Sequence, residues 1–285
     1  MTVLVLDFDG TMTDAEAEGR PFREGYLDDL CTLVGRPARD NDVLAIAAQV
    51  EDELARAPEA HPFLWMGRAV APATVDPYLR MVPIAHRILD RYGAIPGADD
   101  RGRLLGGVLY KYNYAKTLGH PVFRDGAGEV LRTLGDAGHP TWIVTNSDTH
   151  AVAGKIAALD RELAGVAWLT SRVRGYARKF DVEDAWTGCD AEMALPGLER
   201  RVLLRRRAYH DILRQILDEA GATWSELVVV GDIFELDLAM PLALGARIGL
   251  VASSRTPAYE RSFVEGHRRG RVIEDLREIP AFAFA

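Results

Sequence analysis

Cysteine is almost missing from this 285-residue sequence. Cys31 and Cys189 stand alone with no framework spacing, so a disulfide scaffold is excluded and a reducing, cytoplasmic setting is expected. Long apolar runs are missing too. Stretches such as Val43 to Val50 fall well short of the ~20 residues that a membrane span needs. The apolar start Met1 to Leu6 is cut by Asp7 and Asp9 before it reaches the length of a signal-peptide core, so no targeting segment is expected. Basic residues are in deficit, giving a net charge of −8, which argues against general affinity for nucleic acid or anionic membrane. Repeats and low-complexity tracts are absent. What remains is the composition of a globular chain long enough for one large domain or two modest ones.

Three short runs are apolar throughout and end in polar turn formers. Val3-Leu4-Val5-Leu6 stops at Asp7-Phe8-Asp9-Gly10, Thr141-Trp142-Ile143-Val144 at Thr145-Asn146-Ser147-Asp148, and Leu227-Val228-Val229-Val230 at Gly231-Asp232. Runs apolar on both faces read as buried strands. The second and third are preceded by helical spacing: Val130, Leu131 and Leu134 before Gly138, then Ile212, Leu213, Ile216 and Leu217 before Gly221. Helix, strand and polar loop in alternation predict an α/β fold, a doubly wound parallel sheet covered on both faces. Further strands are expected over Val166 to Thr170 and around Arg247 to Val251.

Residues 14–119 read differently. Leu44, Ala47, Val50 and Leu54 share a helical face. Asp76-Pro77 is a helix start with Gly93 as its stop, and Pro83 is placed to split that helix. Leu104 to Leu118 is a third helical segment, and no strand-like run stands out. Gly19-Arg20-Pro21 and Gly119-His120-Pro121 punctuate the ends. The block is therefore expected to be an α-helical domain over 14–119, inserted into a core of 1–13 and 120–285.

In an open parallel sheet, reactive groups collect beyond the carboxyl ends of the strands. The three apolar runs end in Asp7 and Asp9, in Thr145, and in Asp232 with Asp237 nearby. If those strands are neighbours, four carboxylates share one crevice. Like charges so close push one another toward protonation unless a cation lies between them, and hard oxygen ligands favour Mg²⁺. Each feature also has a plainer reading. Asp9-Gly10 is a turn signal, Asp232 with Glu235 three residues on is a helix capping box, and Thr145 alone is any hydroxyl ending a strand. Their order along the chain carries the functional case.

That order resembles the haloacid dehalogenase (HAD) superfamily. Val3 to Thr11 is similar to its first motif, an apolar strand followed by D-x-D-G-T. Ile143-Val144-Thr145-Asn146 resembles the second, and Gly231-Asp232 with Asp237 resembles the fourth, with Gly245 where that family often has glycine. The resemblance implies a Rossmann-like core and a phosphatase-type hydrolase. Asp7 would be the nucleophile forming an aspartyl-phosphate. Asp9 would be the acid and base that protonates the leaving oxygen and deprotonates water, a residue the dehalogenases lack. Mg²⁺ would be held by Asp7, the Asp9 backbone carbonyl and Asp232, with Asp237 in support. Thr145, Asn146 and neighbouring N–H groups would bind the phosphoryl oxygens.

The third motif calls for a cation at a helix start about 25 residues before the fourth-motif aspartate. Counting back from Asp232 gives Arg207, in the run Arg205-Arg206-Arg207, where positive charge opposing the helix dipole suggests an anion to meet. Lys179 is the rival. Glu235 is placed to share the supporting role of Asp237. The inserted block matches the position of a helical cap that excludes water and selects substrate. The function implied is Mg²⁺-dependent hydrolysis of a small phosphorylated metabolite. A phosphomutase with the same aspartates and a non-catalytic HAD-like binding protein are the alternatives.

Overall fold

A computed structural model describes residues 1–117 and 121–284 of the chain. Ten strands lie among them: β1 (Val3–Leu6), β2 (Pro62–Trp65), β3 (Arg68–Pro72), β4 (Thr141–Val144), β5 (Val173–Arg174), β6 (Glu192–Leu195), β7 (Leu198–Leu203), β8 (Leu227–Gly231), β9 (Arg247–Val251) and β10 (Gly270–Ile273). Six form one parallel sheet in the order β10-β9-β8-β1-β4-β5. Its central strands are apolar throughout because both faces are covered. Val3 and Val5 belong to one buried cluster, with Leu213, Ile216 and Leu217 of the helix Arg207–Ala220. Leu4 and Leu6 belong to the opposite cluster, with Val130 and Leu131 of the helix Ala127–Asp136 and Val152 and Ile156 of the helix Thr149–Leu163. Truncating a fully buried leucine such as Leu4 to alanine costs about 2–5 kcal/mol in such a setting. The expected doubly wound α/β architecture is present.

The chain divides into two compact units. Met1–Asp14, Leu64–Ala71 and Phe123–Ala285 carry the sheet, and Ala15–Phe63 with Pro72–Val122 form the second unit. The expected boundary between 119 and 120 lies outside the described residues, as do Leu118, Gly119 and His120. The second unit has its own core of Phe22, Leu27, Leu30, Val43, Ala47, Ile84 and Ile88. Two of its helices, Asn41–Arg56 and Pro77–Arg91, begin where side-chain carboxylates satisfy free N–H groups. Asp40 accepts from the N–H groups of Asp42 and Val43, and Asp76 from those of Tyr78 and Leu79. Pro83 does not split its helix, which runs unbroken over Pro77–Arg91. The third helical segment starts earlier than expected, at Ala98, and passes through wider π-type turns over Arg103–Leu109.

Two expectations about strands are corrected. Val166 to Thr170 is not a strand: Ala167–Arg172 is 3₁₀-helical, and the sheet edge comes later, at β5. The Asp160 carboxylate accepts from the N–H groups of Val166 and Ala167, at 2.7 and 2.9 Å, and so diverts that backbone from sheet pairing. The stretch 14–119 does contain strands, since β2 and β3 form a hairpin whose residues Leu64–Ala71 group with the sheet-bearing unit. Its two-residue connection, Met66 and Gly67, has φ of 49° and 77°, the left-handed pair that a tight hairpin requires. A second hairpin, β6–β7, occupies the segment before the helix Arg207–Ala220. No helix among the described residues is long and apolar enough to cross a membrane.

Candidate active site

β1 pairs with β8 on one side and with β4 on the other, so the three expected strand ends are neighbours. The chain leaves β1 still paired, with the Asp7 N–H donating to the Val230 carbonyl at 2.8 Å. Carboxylate oxygens of Asp7, Asp232 and Asp237 lie within 4.8 Å of one another. Thr11 Oγ1 sits 3.1 Å from Asp7 Oδ2 and 3.1 Å from Asp232 Oδ1, so its single proton can go to either. Asp237 is fixed by accepting the Ile233 N–H at 3.0 Å through Oδ2. Gly10 makes this approach possible. It has φ +87°, and a Cβ there would lie 2.3 Å from Asp232 Oδ2.

Lys179 enters the cluster from a loop that folds back on the end of β4. In that loop the Tyr176 N–H donates to the Ser147 carbonyl and the Ala177 N–H to that of Thr145, both at 2.9 Å. The Lys179 N–H donates to Asn146 Oδ1 at 2.7 Å. The residue is 1% exposed, and its ammonium lies 2.6 Å from Asp7 Oδ1 and 2.8 Å from Asp237 Oδ1. It also stands over the ring of Tyr209, whose hydroxyl donates to the Asp237 carbonyl at 2.9 Å. Burial works against the ammonium, but the two carboxylates outweigh it and hold Lys179 protonated, above its ordinary value.

Asp9 points into a second set of donors. Its Oδ2 lies 2.6 Å from Ser147 Oγ and 3.3 Å from Thr145 Oγ1, and its Oδ1 lies 2.9 Å from the Lys155 ammonium. Thr145 Oγ1 in turn accepts the Ser147 N–H at 3.0 Å. The site thus has a buried Asp7–Lys179–Asp237 row and a more open Asp9–Ser147–Lys155 group.

Several residues are placed differently from the sequence expectation. Arg207 does not join the cluster. Its side chain is 55% exposed, within 3.7 Å of Glu183 and 3.6 Å of Asp211, one helical turn on. The buried cation beside Asp7 is Lys179 instead. Glu235 is no helix cap, since its buried carboxylate meets the Arg200 guanidinium at 2.6 and 2.8 Å. The Asn146 side-chain oxygen is engaged by the Lys179 N–H. Ser147, Lys155 and Tyr209 were not singled out from sequence. Ser147 sits in the quoted Thr145-Asn146-Ser147 run, but nothing in the helical pattern around Lys155 or Tyr209 separates them from ordinary helix residues.

The donor set fits a small divalent cation. Burial foremost, with repulsion from Asp237 and Asp9, pushes the Asp7 carboxyl up to about 7, and Lys179 acts against that shift. A single lysine does not balance this crowding. Three convergent carboxylates with hard oxygen donors suit Mg²⁺.

A sequence model of the haloacid dehalogenase-like hydrolases matches residues 1–245. The chain belongs to that family. No curated protein sequence matches it. Solved structures of HAD proteins share its fold over nearly the whole length. A predicted phosphoglycolate phosphatase from Haemophilus somnus is 13% identical with a TM-score of 0.53, covering 99% of this chain and 97% of that one. The HAD-like hydrolase SP0104 from Streptococcus pneumoniae is also 13% identical with a TM-score of 0.53, covering 99% and 98%. The HAD-hydrolase YfnB from Bacillus subtilis, bound to magnesium, is 16% identical with a TM-score of 0.52, covering 100% and 99%. At these identities the likeness is one of fold. The assignment as a HAD hydrolase rests on the family match and agrees with the order of motifs along the chain.

Proposed function

We propose that this HAD hydrolase is a Mg²⁺-dependent phosphatase that cleaves a small phosphorylated metabolite through an aspartyl-phosphate on Asp7. The observation that carries the reading is the convergence of Asp7, Asp232 and Asp237 around one point, with Lys179 against Asp7. Asp7, Asp232 and the Asp9 backbone carbonyl would hold the ion, with Asp237 in support. Bound there, Mg²⁺ offsets the mutual repulsion of the carboxylates and eases the approach of an anionic phosphoryl group.

Asp7 needs no adjacent base, because a carboxylate is a nucleophile once ionised. Its oxygen attacks phosphorus while the bond from phosphorus to the leaving oxygen breaks. Asp9 delivers its proton to that oxygen, and the alcohol departs. Asp9, now ionised, takes a proton from water as the water oxygen attacks the aspartyl-phosphate. Phosphate leaves and Asp7 is regenerated. Lys179 and Thr145 hold the phosphoryl oxygens, with Lys179 supplying fixed positive charge in a buried setting where it counts most. Substrate choice is assigned to the helical unit, the expected cap.

The test is release of inorganic phosphate from a panel of phosphorylated metabolites and one aryl phosphate, with and without Mg²⁺. Mg²⁺-dependent release that Asp7→Asn abolishes supports the reading. Undiminished turnover by folded Asp7→Asn refutes it, and a phosphorylated isomer in place of free phosphate points to a mutase.

A further inference from the structure

Of the run Arg205-Arg206-Arg207, only the middle side chain is fully buried, and the reaction above gives it no role. Arg206 immediately precedes the helix Arg207–Ala220. One Nη donates to the carbonyl of Lys179, and the other donates to the carbonyl of Val70 on β3 at 3.0 Å. Burying a guanidinium is costly unless its donors are used; here the two Nη groups meet main-chain carbonyls from separate stretches of the same unit, while Nε has no partner among the described residues. A planar fork of donors can do this, whereas a lysine ammonium on its flexible stem is not pre-organised for it.

The loop that needs this support is strained. Tyr176 and Arg178 both adopt left-handed φ, 54° and 50°, just before Lys179. Such conformations cost about 1–3 kcal/mol each for residues with side chains and persist only where the surroundings impose them. The Lys179 peptide units are held from both ends, the N–H by Asn146 Oδ1 and the carbonyl by Arg206. The hairpin that supplies Val70 is itself fastened just beyond Lys179. Trp65 Nε1 donates to Asp181 Oδ1 at 2.8 Å, the Trp65 ring lies 5.6 Å from that of Phe180, and Arg68 pairs with Asp184 at 2.6 Å.

We propose that Arg206 is a positioning residue: by clamping the Lys179 carbonyl against β3 it fixes the ammonium between Asp7 and Asp237. The inference rests on the phosphatase reading, in which Lys179 holds the phosphoryl oxygens. A displacement near 1 Å in such a site costs up to about a hundredfold in rate.

The experiment compares the full-length chain with Arg206→Ala, Arg206→Lys and Lys179→Met on one aryl phosphate in Mg²⁺, normalised to the folded fraction. Arg206→Ala is expected to lose on the order of ten- to a hundredfold in kcat/KM, with KM raised as well as kcat lowered. Guanidinium at sub-denaturing concentration is expected to restore part of that loss and none of the loss in Lys179→Met. A merely structural role would lower the active fraction at constant KM and leave guanidinium inhibitory, which would overturn the proposal. If Arg206→Ala does not fold, Arg206→Lys decides. Parental kcat and KM in that variant overturn the clamp, and a rise in KM with a fall in kcat supports it. If Lys179→Met keeps full activity, Lys179 does not hold the phosphoryl oxygens and the clamp falls with it, whereas a parent that releases no phosphate in Mg²⁺ fails the phosphatase reading.

Discussion

The ammonium of Lys155 lies 2.9 Å from Asp9 Oδ1, while Ser147 Oγ holds the other oxygen of the same carboxylate at 2.6 Å. Two donors from different segments therefore fix the plane of the side chain that must deliver a proton in one half-reaction and remove one in the next. Lys155 reaches the site from the second turn of the helix Thr149–Leu163, over the ring of Phe8.

Removing that donor should leave the fold and weaken the proton transfer. Lys155→Met is predicted to lower kcat for an aryl phosphate on the order of tenfold, since a misaimed acid loses part of the 10²–10⁴ that proton transfer supplies. Lys155→Arg, which keeps a cationic donor, should lose less. Steady-state kinetics with circular dichroism as the control measure this, and an unchanged kcat in folded Lys155→Met would remove Lys155 from the site.

Lys179 and Arg207 should separate cleanly. Arg207 is solvent-exposed and its ion pairs are long, so Arg207→Ala is expected to change both kcat/KM and stability little, with such exposed pairs worth about 0–1 kcal/mol. Lys179→Met removes the buried positive charge between Asp7 and Asp237 and should cost at least about a hundredfold in kcat/KM. It also leaves two buried carboxylates uncompensated, a loss of roughly 3–5 kcal/mol in stability. Lys179→Arg is the companion variant that keeps the charge. A larger kinetic effect from Arg207→Ala than from Lys179→Met would restore Arg207 to the phosphate site.

The contrast between these two cations marks how far the sequence could be read. The sheet was legible because β1, β4, β8 and β9 are apolar enough to need cover on both faces, and the first three stop at polar turn formers. Parallel pairing then makes the ends of β1, β4 and β8 adjacent, so the aspartates and Thr145 follow from the fold. Lys179 could be named only as the rival because it lies on a loop: its position depends on two left-handed residues and on Asn146 and Arg206, none of which leaves a periodic signal. Arg207 satisfied the spacing rule, but a helix start exposes its first residue, and the neighbour Arg206 is the one turned inward. The hairpin β2–β3 was missed because Met66-Gly67 replaces the usual asparagine or aspartate with methionine. The turn of β6–β7, Pro196-Gly197 with Gly197 at φ +87°, is a readable turn signal set amid charged residues.

Glu260 offers a test in the opposite direction, on stability. Burial above all, with Glu235 nearby, raises its carboxyl well above the ordinary value of 4.5, against the pull of the Phe234 N–H and of Arg200. Above pH 4.5 the unfolded chain has released this proton while the folded chain keeps it, so stability falls as pH rises until the folded group ionises too. Glu260→Gln, similar in shape and unable to ionise, lacks that slope. Its stability relative to the parent is expected to increase by roughly 1 kcal/mol per pH unit upward from about pH 4.5. Denaturant unfolding of both proteins at several pH values measures it, and parallel curves would show that Glu260 is ionised in the fold.

Gly10 tests whether the Asp232 carboxylate belongs to an ion-binding position. An alanine there would meet the carboxylate at 2.3 Å and would have to adopt φ +87°, a conformation costing about 1–2 kcal/mol for a residue with a Cβ. Asp232 would be forced away from Asp7 and from Thr11, whose hydroxyl now holds it near the cluster. If that carboxylate helps to hold Mg²⁺, Gly10→Ala needs a higher Mg²⁺ concentration for half-maximal activity, and saturating Mg²⁺ recovers part of the lost rate. If Asp232 is only structural, the variant loses thermal stability while its Mg²⁺ activation curve keeps the parental midpoint. Titrating activity against Mg²⁺ beside a thermal melt of the metal-free protein separates the two, because backbone strain lowers the melt in both cases and only displacement of a ligand moves the activation curve.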